Sequence, residues 1–292
     1  MLPQNKKIAI LTDSCADVPE EYVFKYHIYT VPMLITCKDG EYKDGITIHA
    51  REVYERLKSG ELPKTSTPLG GDIEGMFNYL KKKGYEKVLV LVLSGSLSGT
   101  VQAVRLIAED VDIEVYVIDS LSASIGNGAL VIQAAKWRDE GMDFKTLCQK
   151  VEALRQDTHV FFSIDTLEYL MKGGRIGKAT AIAGAALNIK PILSFDEIGE
   201  IYTPAKVRGS KMVAKKLINI VEELAAKPEY TGKHYNLIVA DGGAPKEREA
   251  LEKKLIAVLP DYNEIYRANI GAALSTYLGD GLLGAGIQFL PD

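Results

Sequence analysis

The chain has 292 residues, with 35 Lys and Arg against 39 Asp and Glu, a formal net charge of −4 and 47% hydrophobic content. That balance argues against a nucleic-acid binder, which carries a basic face, while the length suffices for two domains with cores of their own. Cys15, Cys37 and Cys148 form no Cys-x-x-Cys pair and the four histidines, His27, His49, His159 and His234, show no ligand spacing, so neither a disulfide framework nor a metal site is expected.

The opening MLPQNKKIAI runs straight into a strand pattern without a signal-peptide core, and no apolar run reaches membrane-span length. A cytoplasmic protein is expected. Lys7 to Thr12 reads as a first strand whose turn carries Asp13 and Ser14, followed by a helix opening near Pro19 and Glu20. Ile28 to Ile35 reads as a second strand, Gly40 to Gly45 as a hairpin-like turn, and Thr47 to Leu57 as a helix with Val53, Tyr54 and Leu57 on one face. Lys64 to Pro68 is a loop with three adjacent hydroxyls, Thr65, Ser66 and Thr67, ahead of a helix over Ile73 to Lys83.

Val88 to Leu93 is too uniformly apolar for a half-exposed strand and reads as one buried on both faces of a parallel sheet. It ends in Ser94-Gly95-Ser96-Leu97-Ser98-Gly99-Thr100, after which Val101, Val104, Ile107 and Ala108 recur at helical spacing. A strand, a polar turn and a helix start offer free N–H groups to an oxyanion beyond the carboxyl end of the sheet. The turn is neither a nucleophile elbow, since Leu97 stands midway between Gly95 and Gly99, nor a phosphate loop. The plainer alternative is that its serines satisfy only their own backbone. Ile113 to Ile118 is another strand, ending in Asp119-Ser120. Three strands thus end in Asp or Ser, which points to a polar site at one sheet edge.

Beyond Gly141 come a helix over Phe144 to Arg155, a strand over Thr158 to Ile164, a short helix over Thr166 to Met171 and a small-residue helix over Ala179 to Leu187. The strands Lys190 to Phe195 and Ile201 to Pro204, the helix Ser210 to Ala225, the strand Tyr235 to Asp241, the helix Lys246 to Val258 and the strand Ala285 to Leu290 complete the pattern. The fold class expected is α/β in two domains, an N-terminal three-layer parallel-sheet domain over residues 1–155 and a C-terminal α/β domain over residues 156–292.

Asp13-Ser14, Thr65-Ser66-Thr67-Pro68, Leu97-Ser98-Gly99-Thr100, Val117-Ile118-Asp119-Ser120, Gly173-Gly174-Arg175-Ile176, Lys190-Pro191-Ile192 and Ile270-Gly271 through Gly279-Asp280-Gly281 resemble, in order and in register, the DegV family of fatty-acid-binding proteins. The resemblance implies a ligand between the domains: a long-chain fatty acid with its tail buried and its carboxylate near the interdomain surface. It implies a carrier without catalytic residues or cofactor of its own, which presents that carboxylate to a separate dihydroxyacetone-kinase-like fatty acid kinase subunit for conversion to an acyl phosphate that enters phospholipid synthesis. Thr65, the turn of Ser94, Gly95 and Ser96, and Tyr277 would hold the carboxylate, with Asp13, Ser14 and Ser120 at the same polar edge. Arg175, Lys206 and Arg208 would face the kinase, and the helix Ala179 to Leu187 would cover the tail and shift at a transiently contacted membrane surface.

Two positions depart from the family pattern. Gly95 stands where a second serine is usual, and Tyr277 where a histidine is usual, so the head-group end is altered. A binding or regulatory protein for another amphipathic acid is the alternative. A hydrolase using Asp13, Ser94 or Ser120 is a further one, and it would need a general base beside a hydroxyl.

Overall fold

The computed structural model describes residues 7–182 and 188–291. In chain order its N-terminal part comprises β1 (Ile8–Asp13), α1 (Glu20–Tyr26), β2 (Ile28–Val31), β3 (Leu34–Cys37), β4 (Gly40–Lys43), α2 (Ala50–Lys58), β5 (Lys64–Ser66), α3 (Gly70–Lys82), β6 (Lys87–Val92), α4 (Thr100–Ala108), β7 (Glu114–Asp119), α5 (Ile125–Asp139) and α6 (Phe144–Leu154). Strands β2, β1, β6 and β7 form, in that order, an all-parallel sheet.

The composition of β6 explains the three layers. Successive side chains of a strand point to opposite faces. Val88, Val90 and Val92 pack on one side with Ile73, Phe77 and Leu80 of α3 and Val101 and Val104 of α4. Leu89 and Leu91 pack on the other with Leu130, Trp137, Leu147 and Val151 of α5 and α6. Every residue from Val88 to Val92 is fully buried, so a helix layer on each face is the arrangement that keeps both sets from water.

The segment expected as one strand over Ile28 to Ile35 is two. Pro32, which lacks a ladder donor, and Met33 separate β2, in the parallel sheet, from β3, which pairs antiparallel with β4 and β5. The expected turn over Gly40 to Gly45 therefore holds a strand, and the expected loop at Lys64 contains β5, whose Thr65 lies opposite Ile35. Helix α2 begins at Ala50 rather than Thr47, because His49 and Glu52 form a capping box there.

The rest of the chain adds β8 (Thr158–Ser163), α7 (Glu168–Lys172), β9 (Ile189–Phe195), β10 (Ile201–Arg208), α8 (Val213–Ala225), β11 (Tyr235–Gly242), α9 (Pro245–Val258), β12 (Ile265–Asn269), α10 (Ala272–Leu278) and β13 (Leu282–Phe289). The six-stranded sheet runs β10-β9-β8-β13-β11-β12, with β11 and β12 parallel and the other pairs antiparallel. Helices α8 and α9 cover one face, where Leu217, Val221, Leu251 and Leu255 meet Leu237, Val239 and Ile287. The opposite face turns its Phe162, Ile238, Ala240 and Leu282 toward Cys15, Met33, Ile125 and Ile132 of the N-terminal part, in one continuous core.

The short turn Arg155–Asp157 joins the part containing the parallel sheet to the part containing the six-stranded one. Of the helix expected over Ala179 to Leu187, residues up to Ile182 belong to a 3-10 segment, Gly177–Ile182, and residues 183–187 lie outside the described residues.

Candidate functional site

Between the two parts lies a cavity of about 300 Å³. Its apolar wall comes from Met33, Leu93, Leu97 and Ala123 on one side and Phe162, Phe195, Leu274 and Leu278 on the other. A deeper pocket of about 50 Å³ shares Ala123, Phe162, Phe195, Leu274 and Leu278 with it and continues toward Ile238, Ala240 and Leu282. The two form one apolar channel suited to an extended hydrocarbon.

The polar end of the channel is built from three distant segments. Strand pairing with β3 places Thr65, and α10 brings in Tyr277. Their hydroxyl oxygens lie 2.6 Å apart, a strong hydrogen bond at the mouth. Arg175, from the Gly-rich turn after α7, sits 5.5 Å over the Tyr277 ring. It donates through Nε to the Leu97 carbonyl at 3.3 Å and through Nη1 to the Gly173 carbonyl at 2.6 Å, which ties the turn across the opening. Gly173 is required for this packing, since a Cβ there would lie 2.4 Å from the Tyr277 ring. Ser66, Thr67 and Ser98 also line the cavity.

The loop after β6 does not present the expected hydroxyls. Ser94 Oγ donates to the Gly199 carbonyl at 3.0 Å and accepts from the Ser96 N–H, and Ser96 Oγ donates to the Ile198 carbonyl. Neither residue lines the channel. The Gly95 N–H donates to both carboxylate oxygens of Asp119 at 3.1 Å, and a Cβ at Gly95 would lie 2.6 Å from Asp119 Oδ2. This turn faces the β9–β10 connection, and Ser98 is the hydroxyl of the loop that reaches the cavity. Ser120 Oγ donates to the Ser122 carbonyl beside a separate polar cavity. Lys206 and Arg208 are exposed on β10, the outer strand of its sheet, where long charged side chains discourage edge pairing, and they do not border the channel.

Asp13 and Ser14 belong to the framework beneath the mouth. Asp13 accepts from the N–H groups of Cys15 at 2.9 Å and Leu93 at 2.8 Å, locking the ends of β1 and β6 together. Ser14 Oγ donates to Asp44 at 2.7 Å and accepts from the Met33 N–H. Asp44 in turn accepts from the Ala272 N–H at 2.9 Å, and Asp17 accepts from the Gly271 N–H at 3.0 Å and from Ser124 Oγ. Two carboxylates of the N-terminal part thus cap α10, a helix without a capping side chain of its own. The sequence pattern gives no sign of this arrangement, because both acceptors lie more than two hundred residues from the helix start that they cap.

Burial raises the Asp13 carboxyl to about 7 and that of Asp17 to about 8, and it also raises Asp44, against the hydrogen bonds that favour their ionised forms. An aspartate in the unfolded chain titrates at about 4, so the folded chain holds more protons between that pH and these raised values. The stabilisation is complete at the acid end and is lost as pH rises through about 7 to 8. Burial holds His159 below its ordinary value, so its contribution runs in the opposite sense, but it is complete near pH ~6.5. Between pH ~6.5 and ~8.5 the melting temperature is expected to fall by on the order of 5 °C. Asp17→Asn should flatten that slope, and parallel melting profiles for the two proteins would contradict the assignment.

Among the described residues no cluster of metal-ligating side chains occurs, and no helix is long and apolar enough to cross a membrane. The Cys15 thiol lines the cavity, but burial pushes its pKa well up, which disfavours the reactive thiolate.

Residues 7–290 match the family model described as an uncharacterised protein of the DegV family. A DegV domain-containing protein of Clostridium acetobutylicum is 37% identical over 280 residues, covering 96% of this chain and 98% of the relative. The solved structure of a DegV family protein from Thermus thermophilus, described by its fatty acid binding, is 29% identical with a TM-score of 0.90, over 97% of this chain and 99% of that one. A stearic acid-binding protein from Eubacterium ventriosum is 25% identical with a TM-score of 0.87, over 97% of this chain and 98% of that one. On this agreement of sequence and fold along nearly its whole length, the chain belongs to the DegV family.

Proposed function

We propose that the chain carries a long-chain fatty acid and presents its carboxylate to a separate ATP-dependent kinase. The observation that carries this reading is the apolar channel between the two parts with the Thr65 and Tyr277 hydroxyls at its mouth. Relatives with this fold bind fatty acids, stearic acid among them, which supports a ligand of that class.

Each buried CH₂ contributes about 0.8 kcal/mol, so the tail supplies most of the affinity and the polar end chiefly orients. Neutral hydroxyl donors hold a carboxylate without neutralising it. One carboxylate oxygen accepts from the Thr65–Tyr277 pair, and the other points outward as a nucleophile. In the partner's active site that oxygen attacks the terminal phosphorus of ATP, a C(O)O–P bond forms and the bond to the ADP oxygen breaks. The carboxylate is already ionised, so the step needs no base from this chain. The acyl phosphate then leaves for phospholipid synthesis, with lipid exchanged at a membrane surface. The hydroxyls of Ser94 and Ser120 are spent on backbone carbonyls, which disfavours the hydrolase reading.

The head-group end, where a tyrosine, Tyr277, stands beside Thr65, favours as a second reading another amphipathic acid in the same channel. Mass spectrometry of small molecules extracted from the purified protein separates the two. A fatty acid at about one per chain is the expected result. A different acid would transfer the site to the second reading, and a protein that neither retains nor takes up any single-chain acid would end both.

A further inference from the structure

The inner pocket of the channel borders a further cavity of about 570 Å³, with which it shares Gly126, Val160 and Phe195. Thr65 and Tyr277 line neither of these two spaces, so they meet away from the mouth. The wall between them is thin. Val160 and Phe162 leave β8 on the same face, toward the N-terminal part. A Cβ added at Gly126 would lie 3.1 Å from Val160 Cγ2, so the isopropyl group rests on bare backbone of α5. Val160 packs against the core yet is not fully buried, as befits a residue with open space on either side.

The chemistry changes across that wall. Apart from Ser124, whose hydroxyl donates to Asp17, the inner pocket is lined by apolar residues and glycines. The further cavity is polar, and Ser122 stands at the junction. That residue is only 8% exposed, and its Oγ lies 2.3 Å from where a Cβ on Gly126 would be, so the absence of a side chain at Gly126 is what lets the hydroxyl reach the wall. The Ser122 N–H and carbonyl are both engaged with Ser120 Oγ, whereas the Ser122 hydroxyl has no hydrogen-bond partner among the described residues. A buried hydroxyl left in that state favours any ligand that completes it. The charged residues of the lining balance, Arg155 and Lys178 against Asp196 and Glu197, with Lys178 already paired to Asp196. Such a site suits a neutral group that both donates and accepts better than a second carboxylate. We infer that this cavity is a subsite for the far end of the ligand, so that the chain accepts long-chain acids bearing a hydroxyl at the tail terminus. The carboxylate lies at Thr65 and Tyr277 and the distal hydroxyl at Ser122, with Val160 turning about its single side-chain torsion to admit the tail. The inference rests on the carrier reading and names a substrate class within it.

The test uses the full chain stripped of lipid and titrated with dodecanoate, tetradecanoate, hexadecanoate and octadecanoate, each beside its terminally hydroxylated counterpart. At an apolar blind end the unpaired hydroxyl would weaken binding about thirtyfold or more at every length. The expected result is that, at one length at least, the hydroxylated acid binds within about threefold of the plain one. Ser122→Ala should weaken that hydroxylated acid about fivefold or more and change the plain acid less than about twofold. The Ser122 hydroxyl bonds to no protein group among the described residues, so the variant should melt as the parent does. Rejection of the hydroxylated acids at every length, beside bound plain acids, overturns the subsite and leaves the carrier reading standing. An effect of Ser122→Ala that is equal for both ligands, or absent from both, also overturns it. Binding of neither series removes the carrier reading and the subsite with it.

Discussion

Ala123→Phe is expected to expel long-chain lipid while leaving the protein folded. Ala123 borders both the main cavity and the deeper pocket, so a ring there stands where an extended tail must pass from one to the other. Overpacking a closed core costs about 1–3 kcal/mol, but here the added atoms enter space that is already open. A tail cut off from about six methylenes of contact loses about 5 kcal/mol, more than a thousandfold in affinity. The variant should therefore purify empty or with a shorter acid, as read by mass spectrometry alongside a thermal melt. A full complement of C16 to C18 acid in a normally melting variant would place the tail elsewhere.

Thr65→Val tests the other end. Valine keeps the shape of threonine and the pairing of β5 with β3 but removes the oxygen that faces Tyr277 at 2.6 Å. The lost hydrogen bond should weaken fatty-acid binding by about tenfold. The larger effect should fall on transfer, because a carboxylate free to turn seldom points at the kinase. A fall of about a hundredfold in phosphorylation rate at saturating lipid is expected. Tyr277→Phe should behave alike, and the double variant should cost little more than either single change if the two hydroxyls act as a unit. Unchanged affinity and unchanged rate in Thr65→Val would remove the pair from the head-group site.

Much of the architecture was legible because it is local. The unbroken apolar run of β6 demands helices on both faces, and strands ending at Asp13, Ser94 and Asp119 do share one sheet edge. What that edge faces was not legible. Ser94 and Ser96 donate to carbonyls at Gly199 and Ile198, about a hundred residues onward, and no local pattern encodes which way such a loop turns. The capping of α10 by Asp17 and Asp44 is hidden for the same reason. Strand β12 and helix α10 escaped because each is short and lacks a clear period, whereas Pro32 was a legible break between β2 and β3 that a longer apolar run obscured. Thr65 and Tyr277 stand at opposite ends of the sequence, and only the pairing of β5 and the seating of α10 bring them together.

The contact between Gly95 and Asp119 ties the backbone at position 95 to two turns at once. A side chain there would crowd a carboxylate that also receives the Leu121 N–H, so that carboxylate would have to shift before a serine could fit. The bare backbone at Gly95 thus belongs to the way this loop is fastened to the end of β7, and is not a gap left in the wall of the channel.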